Sequence, residues 1–160
     1  MTKHTVSVLV ANQSGVLARI ASLFSRRGFN IESLSVGQTE KRDVSRITLV
    51  VAGDDKDLEQ LTKQLNKQVV VYKVSNISND PTVSRSMAFI KVRTNYENRS
   101  EIIQIVDVFR GEIVDVANDS VMVEVTGDEG KINAMEELLE PYGIVELVRT
   151  GKIAMTRGKK

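Results

Sequence analysis

A chain of 160 residues with 41% hydrophobic content holds one ordinary domain or two small ones, and 22 Lys and Arg against 21 Asp and Glu leave a net charge of +1. No overall field therefore draws it to nucleic acid or to an anionic membrane. With no cysteine and a single histidine, disulfides, thiolate metal sites, a cysteine nucleophile and any site needing two imidazoles are excluded; no apolar run nears the roughly 18 residues that span a bilayer, and MTKHTVSVLV lacks a signal-peptide cleavage region, so a cytoplasmic protein is expected.

The first segment, HTVSVLVA (4 to 11), is β-branched with period-two alternation, and GVLARIASLFSRRG (15 to 28) sets Val16, Ile20, Leu23 and Phe24 on one helical stripe. Ser14 is the expected N-cap of that helix and Gly28 the residue just past its end. NIESLSVGQT (30 to 39) and VSRITLVVAG (44 to 53) read as strands joined by the charged turn EKRD. DDKDLEQLTKQLNK (54 to 67) opens with acidic residues suited to a helix N-terminus and carries Leu58, Leu61 and Leu65 at helical spacing, before VVVYKVSNI (69 to 77) returns to strand. The order is βαββαβ.

Apolar patterning lapses in SNDPTVSR (78 to 85), which reads as a linker, and then restarts. SRSMAFIKVRT (84 to 94) is a strand, NRSEIIQIVDVFRG (98 to 111) a helix with Ile102, Ile105, Val106 and Phe109 on one side, and EIVDVA and SVMVEVTG a hairpin about Asn-Asp. KINAMEELLEPYG (131 to 143) is a helix stopped by Pro141 and Gly143, and IVELVRTGKIAM a last strand with a tail. The same order has thus occurred twice, giving an α+β chain of two ferredoxin-like βαββαβ domains in tandem, over 1 to 78 and 84 to 160 with a linker at 79 to 83. Each half is small for a single core, and the sheet face opposite the helices has nothing in its own domain to cover it. ITLVV and VVVY read as apolar on both faces, so pairing between domains or chains is expected.

The stretch VANQSGVLARIASLFSRRGFNIESLSVG, followed by VSRITLVVAGD and LEQLTKQLNK, resembles the N-terminal ACT domain of the small regulatory subunits of acetolactate synthase. FRGEIVDV and VRTGKIAMTRG in the second half resemble the same family, so the likeness covers nearly the whole chain. It implies a non-catalytic subunit that binds and activates a catalytic subunit dependent on thiamine diphosphate, with that cofactor, Mg and FAD carried only by the partner. It also implies dimerisation through the N-terminal domains and feedback inhibition by valine, isoleucine or another branched-chain amino acid, in the biosynthesis of those amino acids. A freestanding ACT-domain sensor regulating another enzyme or transcription is the competing role. The matched positions Asn12, Gly15 and Asn30 are the principal effector-site residues, with Ser14, Val16 and Ile31 in support.

The chemistry of those residues suits an amino acid. Backbone N–H groups without intrahelical partners favour a carboxylate at the start of the first helix, and Gly15 lets a ligand approach the backbone closely. Asn12 and Asn30 each offer an amide carbonyl to an ammonium and an NH₂ to a carboxylate, and are expected to converge. The alternative is ordinary turn chemistry, with Ser14 capping and Asn12 bonding locally. Arg26 and Arg27 read as solvated charges or as a phosphate or partner site, and His4 as a surface residue. The common hydrolase, metalloprotease and nucleotide-binding motifs are absent, and 4% aromatic residues without an RNP1-like strand argue against an RNA-recognition module.

Overall fold

A computed structural model describes residues 2–158. It divides into two compact units, Met1–Val83 with Gly151–Lys160, and Ser84–Thr150. In the first, β1 (Thr2–Ala11), α1 (Val16–Arg26), β2 (Asn30–Gln38), β3 (Val44–Gly53), α2 (Asp55–Asn66) and β4 (Val71–Asn76) form an antiparallel sheet of order β2-β3-β1-β4. In the second, β5 (Thr82–Arg93), α3 (Arg99–Val108), β6 (Glu112–Val116), β7 (Ser120–Gly127), α4 (Glu129–Leu139) and β8 (Ile144–Arg149) repeat the plan as β6-β7-β5-β8. Both are the split-βαβ arrangement that the repeated order requires.

Alternation along the strands decides what is buried. Val6, Val8 and Val10 of β1 stand beside Leu49, Ile47 and Ser45 of β3, and the helices close over this face with Val16, Ile20, Phe24, Leu58, Leu61 and Leu65. His4 shares the even-numbered face of β1, so it is 5% exposed rather than a surface residue. Its Nε2 lies 3.1 Å from Asp55 Oδ1 and 3.3 Å from the Gly53 carbonyl, joining β1 to the start of α2. The second unit has its own core of Ile90, Val92, Ile102, Val106, Val123, Ile132, Met135 and Leu139. There Tyr142 donates to Glu101 at 2.9 Å; that bond above all, then burial and the carboxylate charge, raises the phenol above its ordinary pKa.

Helix ends follow the sequence signals unevenly. Gly28 sits at φ 81°, its N–H donating to the Ser25 carbonyl and that of Phe29 to the Phe24 carbonyl, the Schellman pattern expected of a glycine there. At the end of α3 the same pattern recurs one residue early: Arg110 takes the left-handed position (φ 56°), with Arg110 N–H bonded to Asp107 and Gly111 N–H to Val106. Gly111 is needed for another reason, since a Cβ there would stand 3.0 Å from the Glu124 carbonyl. Arg110→Gly should accordingly raise stability by about 1 kcal/mol, because an L side chain at positive φ is strained. A denaturant midpoint that stays put or falls would contradict this account.

Three expectations need correcting. The N-cap of α1 is Gly15, at φ 84° and without a side-chain hydrogen bond, not Ser14; the left-handed turn is open to glycine at little cost, so the chain turns one residue later. VVVY is not a two-faced strand: Val69 is 94% exposed in the turn after α2, and β4 begins only at Val71. Residues 151 to 158, assigned above to the second domain, pack on the first. Lys152 N–H donates to Ser33 Oγ at 2.9 Å, its Nζ donates to Thr5 Oγ1 at 3.3 Å, and a Cβ on Gly151 would overlap the Leu34 carbonyl. Within the same unit, Arg157 N–H donates to the Pro81 carbonyl at 2.8 Å. The first sheet's helix-free face is therefore partly covered from within the chain.

Candidate functional site

The loop between β1 and α1 is held from below by the β2–β3 turn. Asn12 N–H donates to the Asp43 carbonyl at 2.9 Å and Asn12 Nδ2 to the Arg42 carbonyl at 3.4 Å, so EKRD positions the candidate site as well as turning the chain. With its NH₂ so engaged, Asn12 keeps Oδ1 without a donor among the described residues. Gln13 N–H then bonds the Ala11 carbonyl, Val16 N–H reaches the Gln13 carbonyl at 3.4 Å, and Arg19 N–H the Gly15 carbonyl at 3.1 Å.

Between those last two, the N–H groups of Leu17 and Ala18 have no acceptor among the described residues. They are the orphan donors of a helix N-terminus, reinforced by its positive dipole. No acidic residue occupies the first turn to satisfy them. Above them Gly15 is open, with nothing within 4 Å of where a Cβ would stand. Asn12, Ser14 and Gly15 are exposed, whereas Val16 is 5% exposed and anchors the helix in the core. The arrangement suits a carboxylate on the amides, with the Asn12 carbonyl left for a donor such as an ammonium.

Asn30 and Ile31 are elsewhere. On β3, Val44 pairs Ala11 and Ala52 pairs Asn30, eight residues apart, so the two ends are separated by about 26 Å along the sheet. The expectation that Asn12 and Asn30 meet within one chain is thereby corrected: α1 returns the chain across the sheet, so β2 starts at the end where β1 began. Asn30 is exposed at the first position of β2, and Ile31 is half-buried against the core. Of the six expected residues, the structure brings together Asn12, Ser14, Gly15 and Val16. The backbone donors of Leu17 and Ala18 belong to no side-chain motif; their signal in the sequence is the lack of an Asp or Glu in the first turn. Arg27 Nε donates to Gln64 Oε1 at 3.2 Å and Arg26 Nε to Ser22 Oγ at 3.3 Å, so these arginines tie α1 to α2 and to itself. Among the described residues no three His, Cys, Asp or Glu cluster as a metal site, and no helix is long and apolar enough to cross a membrane.

Comparison with known proteins matches residues 6–73 to the AHAS small subunit-like ACT domain and residues 85–158 to the family described as small subunit of acetolactate synthase. The probable acetolactate synthase small subunit of Archaeoglobus fulgidus is 56% identical over 158 residues, covering 99% of each chain. That of Mycolicibacterium smegmatis is 50% identical over 98% of this chain and 92% of its own length. The crystal structure of the acetolactate synthase small subunit from Thermotoga maritima superposes with a TM-score of 0.91 at 43% identity, with all of both chains covered. With an ACT unit at its start and a second βαββαβ unit after it, the chain belongs to the acetolactate synthase small-subunit family.

Proposed function

We propose that this chain is a regulatory, non-catalytic subunit that works in the cytoplasm. It binds the thiamine-diphosphate-dependent catalytic subunit of acetolactate synthase, raises its activity and makes it sensitive to valine, isoleucine or another branched-chain amino acid. Thiamine diphosphate, Mg and FAD belong to the partner. Family membership supports the partnership. The observation that carries the effector reading is that, among the described residues, the amides of Leu17 and Ala18 beneath the open Gly15 have no acceptor and the neighbouring Asn12 carbonyl oxygen has no donor.

Because Asn12 and Asn30 are about 26 Å apart in one chain, an amino acid that touches both must lie between two copies. The ACT units accordingly pair, and each of the two sites in the interface takes the Asn12 loop from one copy and the Asn30 strand end from its partner. Effector then acts through its differential affinity for activating and inhibiting arrangements of the complex, a coupling of about 1–3 kcal/mol. The test is to mix the chain with an acetolactate synthase catalytic subunit and follow the rate with and without valine, leucine and isoleucine. Activation relieved by at least one of them is expected; no effect in any mixture would refute the proposal.

Gly15→Asp should abolish inhibition while retaining activation. At φ 84° any L side chain is strained, aspartate less than most, and its carboxylate takes the amides that the effector's carboxylate needs. Like-charge opposition of several kcal/mol predicts at least about a hundredfold more effector for half-inhibition. Unchanged inhibition at the wild-type concentration would remove Gly15 from the site.

A further inference from the structure

The helix-free face of the first sheet carries a second polar constellation, distinct from the α1 cradle. Register places Arg46 of β3 and Lys73 of β4 on either side of Leu9, with Thr48 and Ser75 flanking Ser7 in the next row. Two cations thus stand one strand apart on a single face. Arg46 is half-buried, donates to Ser7 Oγ at 2.8 Å, and meets no carboxylate among the described residues; Lys73 has no hydrogen bond or ion pair among them. Across from Arg46 on the neighbouring edge strand is Gly37, which leaves that side of the guanidinium uncovered. The C-terminal residues Ala154–Thr156 border this row and with it line a half-open cavity of about 400 Å³, whose wall also includes Ser75.

A partly desolvated guanidinium with no counter-ion among the described residues, a second cation across the strand and hydroxyls in the adjoining row form the recognition set for an oxyanion, which Arg can grip with two parallel N–H bonds. We infer that this cavity is a binding site for a small molecule bearing one oxyanion group, phosphoryl or carboxylate, held by Arg46, Lys73 and the Ser7 and Ser75 hydroxyls. Since the C-terminal segment lines the cavity, occupancy also holds residues 154 to 156 against the ACT sheet. The site is independent of the effector cradle.

The test is an amide chemical-shift titration of the full chain with sodium phosphate in one arm and sodium acetate in the other, at constant ionic strength. Saturable shifts at Ser7, Ser75 and Ala154–Thr156 are expected, the tighter arm naming the oxyanion class. Arg46→Gln should weaken binding about tenfold or more. Lys73→Gln, at an exposed position that leaves the fold intact, should weaken it several-fold and decides the matter if Arg46→Gln fails to fold. Gly15→Asp should leave the titration unchanged. The inference is overturned if neither salt moves these amides, or if the shifts persist at full affinity in folded Arg46→Gln or in Lys73→Gln.

Discussion

Phe24→Ala is expected to cost the first unit about 3–5 kcal/mol and to leave the second unit's unfolding where it was. Phe24 is fully buried on α1 and meets Phe29 edge-on, the ring centroids 5.9 Å apart at 72°. Phe29 in turn lies over Gly53, where a Cβ would run into its ring. Truncation therefore opens a void under a side chain that is held on its other side by β3, so the neighbours can collapse only partly. Total stabilities of small domains are about 5–15 kcal/mol, so such a loss is a large part of the whole. The second unit has a separate core around Ile90, Val123 and Met135. Hydrogen exchange in urea should show early loss of protection at Ile47 and Leu49 while Ile90 and Val123 remain protected. One cooperative transition displaced equally for all four would mean that the units do not fold independently.

The periodicities that set these cores were legible in the sequence because each helix and strand buries one face and the face repeats every 3.6 or 2 residues. Glycine at a helix end was legible in one case and misleading in another. Gly28 occupies the left-handed position that its residue type suggests, whereas at α3 that position falls to Arg110, and Gly111 is a packing requirement against β7. Ser14 looked like a cap because serine accepts well from helix amides, yet a positive φ at Gly15 makes the turn without a side chain. The return of Gly151 and Lys152 to Ser33 and Thr5 has no local signature, since it depends on contacts more than a hundred residues apart in sequence. The convergence of Asn12 and Asn30 failed for a topological reason that the element order already contained. A strand, a helix and a second strand that pairs the same neighbour put the two strands parallel, so the end of one lies far from the start of the next.

That separation leads to the second large effect. Asn12→Ala and Asn30→Ala should each desensitise the reconstituted enzyme, since losing one hydrogen bond to a charged group costs about 1.5–3 kcal/mol, or roughly ten- to a hundredfold in effector concentration. A dimer of one chain carrying Asn12→Ala and one carrying Asn30→Ala behaves differently from either parent. One of the two sites in its interface receives the intact Asn12 of the second chain and the intact Asn30 of the first, while the other receives both substitutions. Co-expression with two affinity tags isolates this mixed dimer, and titration with valine or isoleucine should recover about half of the wild-type sites at wild-type affinity, by calorimetric stoichiometry. A site built within one chain gives no such recovery, because every site then keeps a defect. A mixed dimer as insensitive as its parents would therefore overturn the site shared between copies, whereas an Asn30→Ala parent that keeps wild-type sensitivity would separate Asn30 from the effector and leave the cradle at Asn12, Gly15 and the Leu17 and Ala18 amides to act alone.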